Sequence, residues 1–426
     1  MGGAQIITRL SRLCTTVVLS RMLDPKDFGM AAIVLTVYEC VSLFSRNGIA
    51  AAVVQAEESQ SKAVAQAAWA LTWIVCASLS LIQIAIAIPV ALAYHNVKLA
   101  LPIALMGVIY LAGPFSTIQF AFLQREGRLG RIAMVGTAQV VVDNLLTAVF
   151  AALGFGMWAI VLPKILVAPI WLFFIRYGHD WRPAPLKTLA LPPGWRDILR
   201  FSRHVVGVEL LTTVQANLDN LIVGYCLGLH ALGVYYFAFN AGLGVTLGLV
   251  NAFGIAVYPH LCQARGDQTL LARRFRKARR TLGLITVPLV LLQVAMAPLY
   301  VPIVFGDKWT PAIPVLMMIC LSAIARPFAN TTSSLLRALG RPDVELRWQL
   351  ALTVFLIAGL LLGSRAGILG VAIAVFVVQT LVLGVYSLVA PRPFVGPVPA
   401  KPSLTRRRPV EDHPDAPPTS TLAQQL

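Results

Sequence analysis

The sequence predicts an all-α polytopic membrane protein of about twelve transmembrane helices, arranged as two six-helix lobes related by a parallel internal repeat. Three observations carry this expectation. Of 426 residues, 58% are hydrophobic and only 12% are charged, with a mean hydropathy of +0.76; soluble domains carry about 25% charged residues. The apolar residues fall in blocks that approach the roughly 20 residues needed to cross a bilayer. The second half of the chain also repeats the motif order of the first.

The first span, 4–20, is barely long enough to cross. Next come 28–45, the long 64–93, 99–123, 132–153 and 157–175; then 204–227, 232–258, 281–304, 311–336, 348–363 and 368–390. Pro and Gly inside several of these are tolerated where neighbouring helices satisfy the freed backbone groups. No cleavable leader pattern opens the chain, so the apolar helices themselves are expected to direct insertion. The organisation that follows is an N-lobe over 1–177, a cytoplasmic linker over 178–203 and a C-lobe over 204–390. A tail over 391–426, rich in Pro and charge, is expected to be disordered.

The net charge of +17 would suggest nucleic acid in a soluble protein, but here the basic residues crowd short loops. Loops after even-numbered spans, with the tail, hold 26 of the 35 Lys and Arg, against five in the loops after odd-numbered spans. This asymmetry places both termini in the cytoplasm and excludes a nucleic-acid role. The densest run, Arg273 to Arg280 (RRFRKARR), reads as a topology anchor, and anionic headgroups are a second use of the same charge. The six cysteines form no C-x-x-C pair and the six histidines show no ligand spacing, so no metal or redox cofactor is expected.

The repeat is read from three alignments. LSRMLDPKDFGMA (19–31) matches VGYCLGLHALGVY (223–235) at offset 204. LQREGR (123–128) matches LRALGR (336–341), and GFGMWAI (154–160) matches GILGVAI (367–373), both at offset 213. Six spans per half is an even number, so the halves share one orientation, the arrangement that places a substrate site between two lobes.

Polar residues inside the spans mark the candidate site. Span 1 presents Gln5, Thr8, Arg9, Arg12, Thr15 and Thr16 on one face. Span 7 presents Glu209, Thr212, Thr213, Asn217, Asp219 and Asn220. One stripe is cationic and the other anionic, and each is expected to face a watery cavity or the partner lobe. Span 10 adds Arg326 near its middle, followed by Asn330, Ser333, Ser334 and Arg337. Span 5 adds Gln139, Asp143 and Thr147, span 2 adds Glu39 and span 6 adds Lys164. Mutual ion pairing is the structural alternative for any of these, most readily for Lys164. Arg9 and Arg12, together on one face, suit a phosphate or pyrophosphate, whose oxygens the planar guanidinium binds bidentately. Glu39, Asp143, Glu209 and Asp219 are candidates for H⁺ coupling, and Asn217 and Asn220 beside Asp219 suit Na⁺. Interhelical hydrogen bonding is the alternative role for these groups.

LSRMLDPKDFGMAAIV, NLDNLIVGYCLGLHALGVYYFA and VFGDKWTPAIPVLMMICLSAI followed by LLRALGRPD resemble the Wzx-type polysaccharide and lipopolysaccharide flippases, above all the colanic-acid branch. These belong to the multidrug/oligosaccharidyl-lipid/polysaccharide exporter superfamily. The resemblance runs from about residue 5 to 390 and implies alternating access. It implies as substrate an oligosaccharide on undecaprenyl pyrophosphate, moved across the bacterial inner membrane for surface polysaccharide synthesis, with polymerase or export machinery as candidate partners. Arg9 and Arg12 take the place of cavity arginines that engage pyrophosphate in the similar lipid II flippases; Arg326 and Lys164 are further candidates. Members usually carry a longer segment ahead of the one matching Gly2–Arg12, so the resemblance implies a truncated chain or a misassigned start. The rivals are an ion-coupled drug/cation antiporter of the same superfamily, which the cationic N-lobe stripe disfavours, and a membrane glycan polymerase. An enzyme is not expected, because the outer loops are short and offer no base to a substrate beyond the membrane.

Overall fold

The computed structural model describes residues 2–45, 49–56, 58, 61–183, 195–264 and 266–392, with side chains throughout except at 2–6, 9, 51, 52, 55, 195–212 and 244–256. Residues 184–194 of the expected linker and 393–426 of the expected tail lie outside the described residues.

Each expected span coincides with helix. α1 is Gly2–Met22, α2 Pro25–Ser42, α3 Ile49–Gln55, α4 Ser61–Ala93, α5 Ala100–Met106, α6 Thr117–Arg125, α7 Leu129–Ala152 and α8 Trp158–Arg176. The second half holds α9 Trp195–Cys262, α10 Gln268–Tyr300, α11 Ile313–Ser322, α12 Arg326–Ala338, α13 Pro342–Ser364 and α14 Gly367–Val389. Span 4 comprises α5, a 3₁₀ stretch (Gly107–Phe115) and α6. Spans 7 and 8 are the two arms of α9, which break apart at Gly228, where φ is 85° and ψ 171°. Ten segments among the described residues are long and apolar enough to cross a membrane. The stretch Thr213–Leu243 counts once there although it covers the break between spans 7 and 8, and α1, which carries Arg9, Arg12 and Arg21, is not among the ten.

Local chemistry sets the turns. Asp24 is extended at the N-cap of α2, and Pro25 opens that helix, where its missing N–H costs nothing. The Asp267 carboxylate caps α10 by accepting from the backbone N–H groups of Thr269 and Leu270. At offset 213 the two lobes turn with matching backbones. Gly127 and Gly340 have φ of 69° and 73°, and Gly154 and Gly367 have 79° and 76°. Only glycine adopts such angles without strain, so the repeat read from letters is also a repeat of backbone geometry.

The lobes meet where α2 crosses α9. A Cβ on Gly29 would overlap the carbonyl oxygen of Leu229, and a Cβ on Gly233 would overlap that of Pro25. Positions 25 and 29 are related to 229 and 233 by the same offset of 204. The contact is therefore reciprocal, the form a twofold axis imposes on an interface. The largest apolar core surrounds this crossing and draws on both halves, with Leu23, Phe28 and Ile33 against Tyr235, Phe237 and Trp309.

A second glycine contact joins α13 to α14: a Cβ on Gly363 would sit 2.6 Å from the carbonyl oxygen of Gly370. Gly363→Val is expected to force this hairpin apart, at the 1–3 kcal/mol or so typical of overpacking. A drop of several degrees in the thermal unfolding midpoint of the purified protein is the expected reading; an unchanged midpoint would refute the close packing.

Candidate functional site

Just inside the crossing lies a cavity of about 370 Å³ between α2 and the C-lobe. α2 contributes Leu35, Thr36 and Glu39, and the first arm of α9 contributes Gln215, Asn217, Asp219 and Asn220. The second arm adds Tyr236, Phe239 and Asn240; Arg326 and Gln379 complete the polar lining from α12 and α14.

Arg326 owes its position to a break in span 10. Pro327 has no N–H to continue the α-ladder, and the chain crosses 323–325 in a tight turn, with Ala323, Ile324 and Arg326 N–H groups bonded three residues back. α12 therefore starts inside the span, and its N-terminus carries Arg326 to the cavity wall. Discontinuous spans of this kind recur at transporter substrate sites, where the positive end of a half-helix favours anionic groups. The Arg326 Nε donates to Gln379 Oε1 at 3.2 Å, and no ion pair within 4.0 Å engages Arg326 among the described residues.

A polar network fills the wall formed by α2 and α9. The Asp219 Oδ2 accepts from the Tyr235 hydroxyl at 2.8 Å, and its Oδ1 accepts from the Asn220 backbone N–H at 2.9 Å. Asn217 bridges the lobes, its Nδ2 donating to Glu39 Oε2 at 3.2 Å and to the Thr213 carbonyl at 3.1 Å. Its Oδ1 accepts from the Thr36 hydroxyl at 3.4 Å, and the Asn220 Nδ2 donates to Thr36 Oγ1 at 3.3 Å. Gln349 donates to Gln215 at 3.0 Å at the edge of the same wall. The lining thus combines one guanidinium, two carboxylates, several amides and two aromatic rings. That set can hold an anionic group at one point and hydroxyl-rich groups around it.

The other predicted residues lie elsewhere. The Lys164 Nζ pairs with Asp143 Oδ2 at 3.1 Å within the N-lobe, and neither lines the cavity. Arg12 is exposed on α1 and is also absent from the cavity wall. The expected orientation of the α1 stripe differs in part. Thr15 is buried and donates to the Ser11 and Asn144 carbonyls, while Asn144 donates to Ser11 Oγ at 2.8 Å. α7 of the same lobe therefore satisfies this part of the stripe, and the partner lobe does not. Arg337 forms a bidentate pair with Glu345 at 2.7 and 2.8 Å. Arg9 and Glu209 lie on α1 and α9, but their side chains are outside the described residues. Tyr235, Gln379 and Thr36 were not singled out from sequence. Gln379 gave a readable signal, an amide within the apolar run VFVVQTLVL.

The crossing end is sealed above the cavity. Trp309 is fully buried, stacks on Phe237 at 3.9 Å between ring centroids and meets Phe28 edge-on at 5.2 Å. Its Nε1 donates to the Ser20 carbonyl at 2.7 Å. Two cations then cap neighbouring helix ends. Lys308 Nζ donates to the Arg21 and Leu23 carbonyls at the end of α1, while the Arg21 guanidinium donates to the Ile303 and Val304 carbonyls beyond α10. Cations at helix C-termini answer the exposed carbonyls there.

A family model described as polysaccharide biosynthesis protein matches residues 18–314. The chain is 26% identical over 387 residues to the lipopolysaccharide biosynthesis protein WzxC of Escherichia coli (strain K12), covering 88% of this chain and 76% of that one. The fold is similar to that of the lipid II flippase MurJ in an inward closed conformation, with a TM-score of 0.74 at 12% identity, covering 91% of this chain and 87% of that one. It is also similar to an inward-facing multidrug resistance transporter of the MATE family in the MOP superfamily, with a TM-score of 0.70 at 16% identity, covering 91% and 94%.

Proposed function

The chain belongs to the polysaccharide biosynthesis protein family, and from that premise we propose that it flips a lipid-linked oligosaccharide between the leaflets of the inner membrane by alternating access. The cargo is an oligosaccharide on undecaprenyl pyrophosphate, destined for surface polysaccharide. With the basic loops in the cytoplasm, both termini are cytoplasmic, the sealed crossing faces outward and the cavity belongs to the inward-facing state.

The observation that carries this reading is Arg326, carried to the cavity wall at the start of a half-helix. Its guanidinium holds the pyrophosphate, and the amides and rings of the wall meet the sugars. Arg12, exposed on α1 outside the cavity, serves with Arg9 on the access route of the diphosphate; Lys164, paired with Asp143, positions helices within the N-lobe. Arg12→Ala is expected to reduce surface glycan at least about tenfold, the effect of one lost charge-assisted bond, at unchanged protein level. Export at the wild-type rate would remove Arg12 from the route.

Asp219, with Glu39, Asn217 and Asn220, is the coupling site for H⁺ or Na⁺, and Asp143 and Glu209 are further coupling candidates. Asp219→Asn is expected to make transport in vesicles insensitive to imposed H⁺ and Na⁺ gradients; retained sensitivity to both would exclude Asp219. Two carboxylates and two aromatic rings in one cavity also favour a second reading, a drug/cation antiporter. Gradient-driven efflux of an organic cation, without rescue of a strain lacking its polysaccharide flippase, would select that reading.

A further inference from the structure

The cations of the Arg273–Arg280 run divide into two sets. Arg274 donates to the His260 carbonyl at 2.7 Å, and Arg279 donates to the Ser387 carbonyl at 2.9 Å while lying over the Phe328 ring at 5.4 Å. These two tie α10 to its neighbours. Arg273, Arg276, Lys277 and Arg280 are exposed, and none makes an ion pair among the described residues. Their spacing of i, i+3, i+4 and i+7 places them on one face of α10. The opposite face buries Leu271, Phe275 and Leu282.

The cationic face continues along α10 as an apolar one. At 100° per residue, Leu284 and Leu291 fall in line with Arg273 and Arg280, and they are 74% and 50% exposed. In a membrane-spanning helix, exposed leucines of this kind face lipid tails. The four cations therefore stand at the headgroup end of a lipid-facing stripe, on a different element from the cavity wall. The seven residue steps from Arg273 to Arg280 cover about 10 Å of helix, enough to run from the edge of the hydrocarbon through the headgroup layer.

We propose that this face is a docking surface for anionic phospholipid, whose headgroup phosphates bridge the four cations while its chains lie along Leu284 and Leu291. Electrostatic attraction of juxtamembrane cations to anionic lipid supplies the affinity, and the neighbouring leucines supply the selectivity for a lipid over a free phosphate. The surface is independent of which cargo the cavity takes.

The test is native mass spectrometry of the purified full chain, equilibrated in detergent with equal amounts of phosphatidylglycerol and phosphatidylcholine. The wild type is expected to retain phosphatidylglycerol about fivefold over phosphatidylcholine, the preference of a single basic contact. A variant with Arg273→Gln, Arg276→Gln, Lys277→Gln and Arg280→Gln is expected to fall to parity, and Lys at the three Arg positions should keep the preference. Raising the salt before spraying should erase the wild-type preference through screening, which keeps the proposal testable if the glutamine variant does not fold. Equal retention by wild type, a preference surviving in a folded glutamine variant, or a preference insensitive to salt would each overturn it. Full displacement by inorganic phosphate, where chloride at the same ionic strength leaves the lipid bound, would show a free-anion site and overturn the lipid assignment.

Discussion

Gly233→Leu is expected to abolish export, lowering surface glycan more than about tenfold, because the lobes can no longer close at the crossing. Even a Cβ at this position would overlap the Pro25 carbonyl oxygen, which belongs to backbone and cannot swing aside. The α2–α9 crossing must then open, and with it the seal of Phe28, Phe237 and Trp309. Leu23, only 2% exposed, reports on this directly. In a background without the six native cysteines, Leu23→Cys should resist a membrane-impermeant thiol reagent, and the added Gly233→Leu should make it reactive. Gly29→Leu should give the same result, since the contact is reciprocal. Continued protection of position 23 in both variants would show that the crossing is not the closing contact.

The second large effect is expected from Arg326→Gln. A guanidinium that meets a diphosphate contributes charge-assisted hydrogen bonds, each about 1.5–3 kcal/mol. Loss of two such bonds lowers transport by about a hundredfold or more. The variant should accumulate lipid-linked precursor in the cytoplasmic leaflet while remaining folded, because Gln can still bond Gln379. Arg326→Lys should recover only part of the activity, since an ammonium lacks the bidentate fork. Equal transport by all three proteins would remove the diphosphate from this cavity.

The twelve spans were legible because lipid demands long apolar helices, and so was the repeat, because its turns need glycine at the same places. The ends of the elements were less so. Span 9 was expected to start at 281, yet α10 starts at Gln268: the Asp267 cap and the buried Leu271 and Phe275 extend the helix beyond the hydrocarbon. Spans 7 and 8 were separated by four residues in sequence, whereas one glycine, Gly228, makes the turn. Within the site, Asp219, Asn217, Asn220, Glu39 and Arg326 stood out as polar groups in apolar runs, and all line one cavity. Their partners did not stand out. Tyr235 reads as an ordinary aromatic until the fold of α9 brings its hydroxyl to Asp219, and the Lys164–Asp143 pair depends on which faces of α7 and α8 meet.

The aromatic seal has a thermodynamic consequence. Separating the lobes at the crossing exposes Phe28, Phe237 and Trp309, and uncovering a large apolar side chain costs roughly 1.5–3 kcal/mol. In the equilibrium between sealed and unsealed conformers, the unsealed one therefore carries a cost of several kcal/mol at this contact. A ligand shifts such an equilibrium only by binding one conformer more tightly than the other. Contacts made only in the unsealed conformer, with cargo or coupling ion among them, must offset that cost, and variants that trim Trp309 should need less of that drive to open.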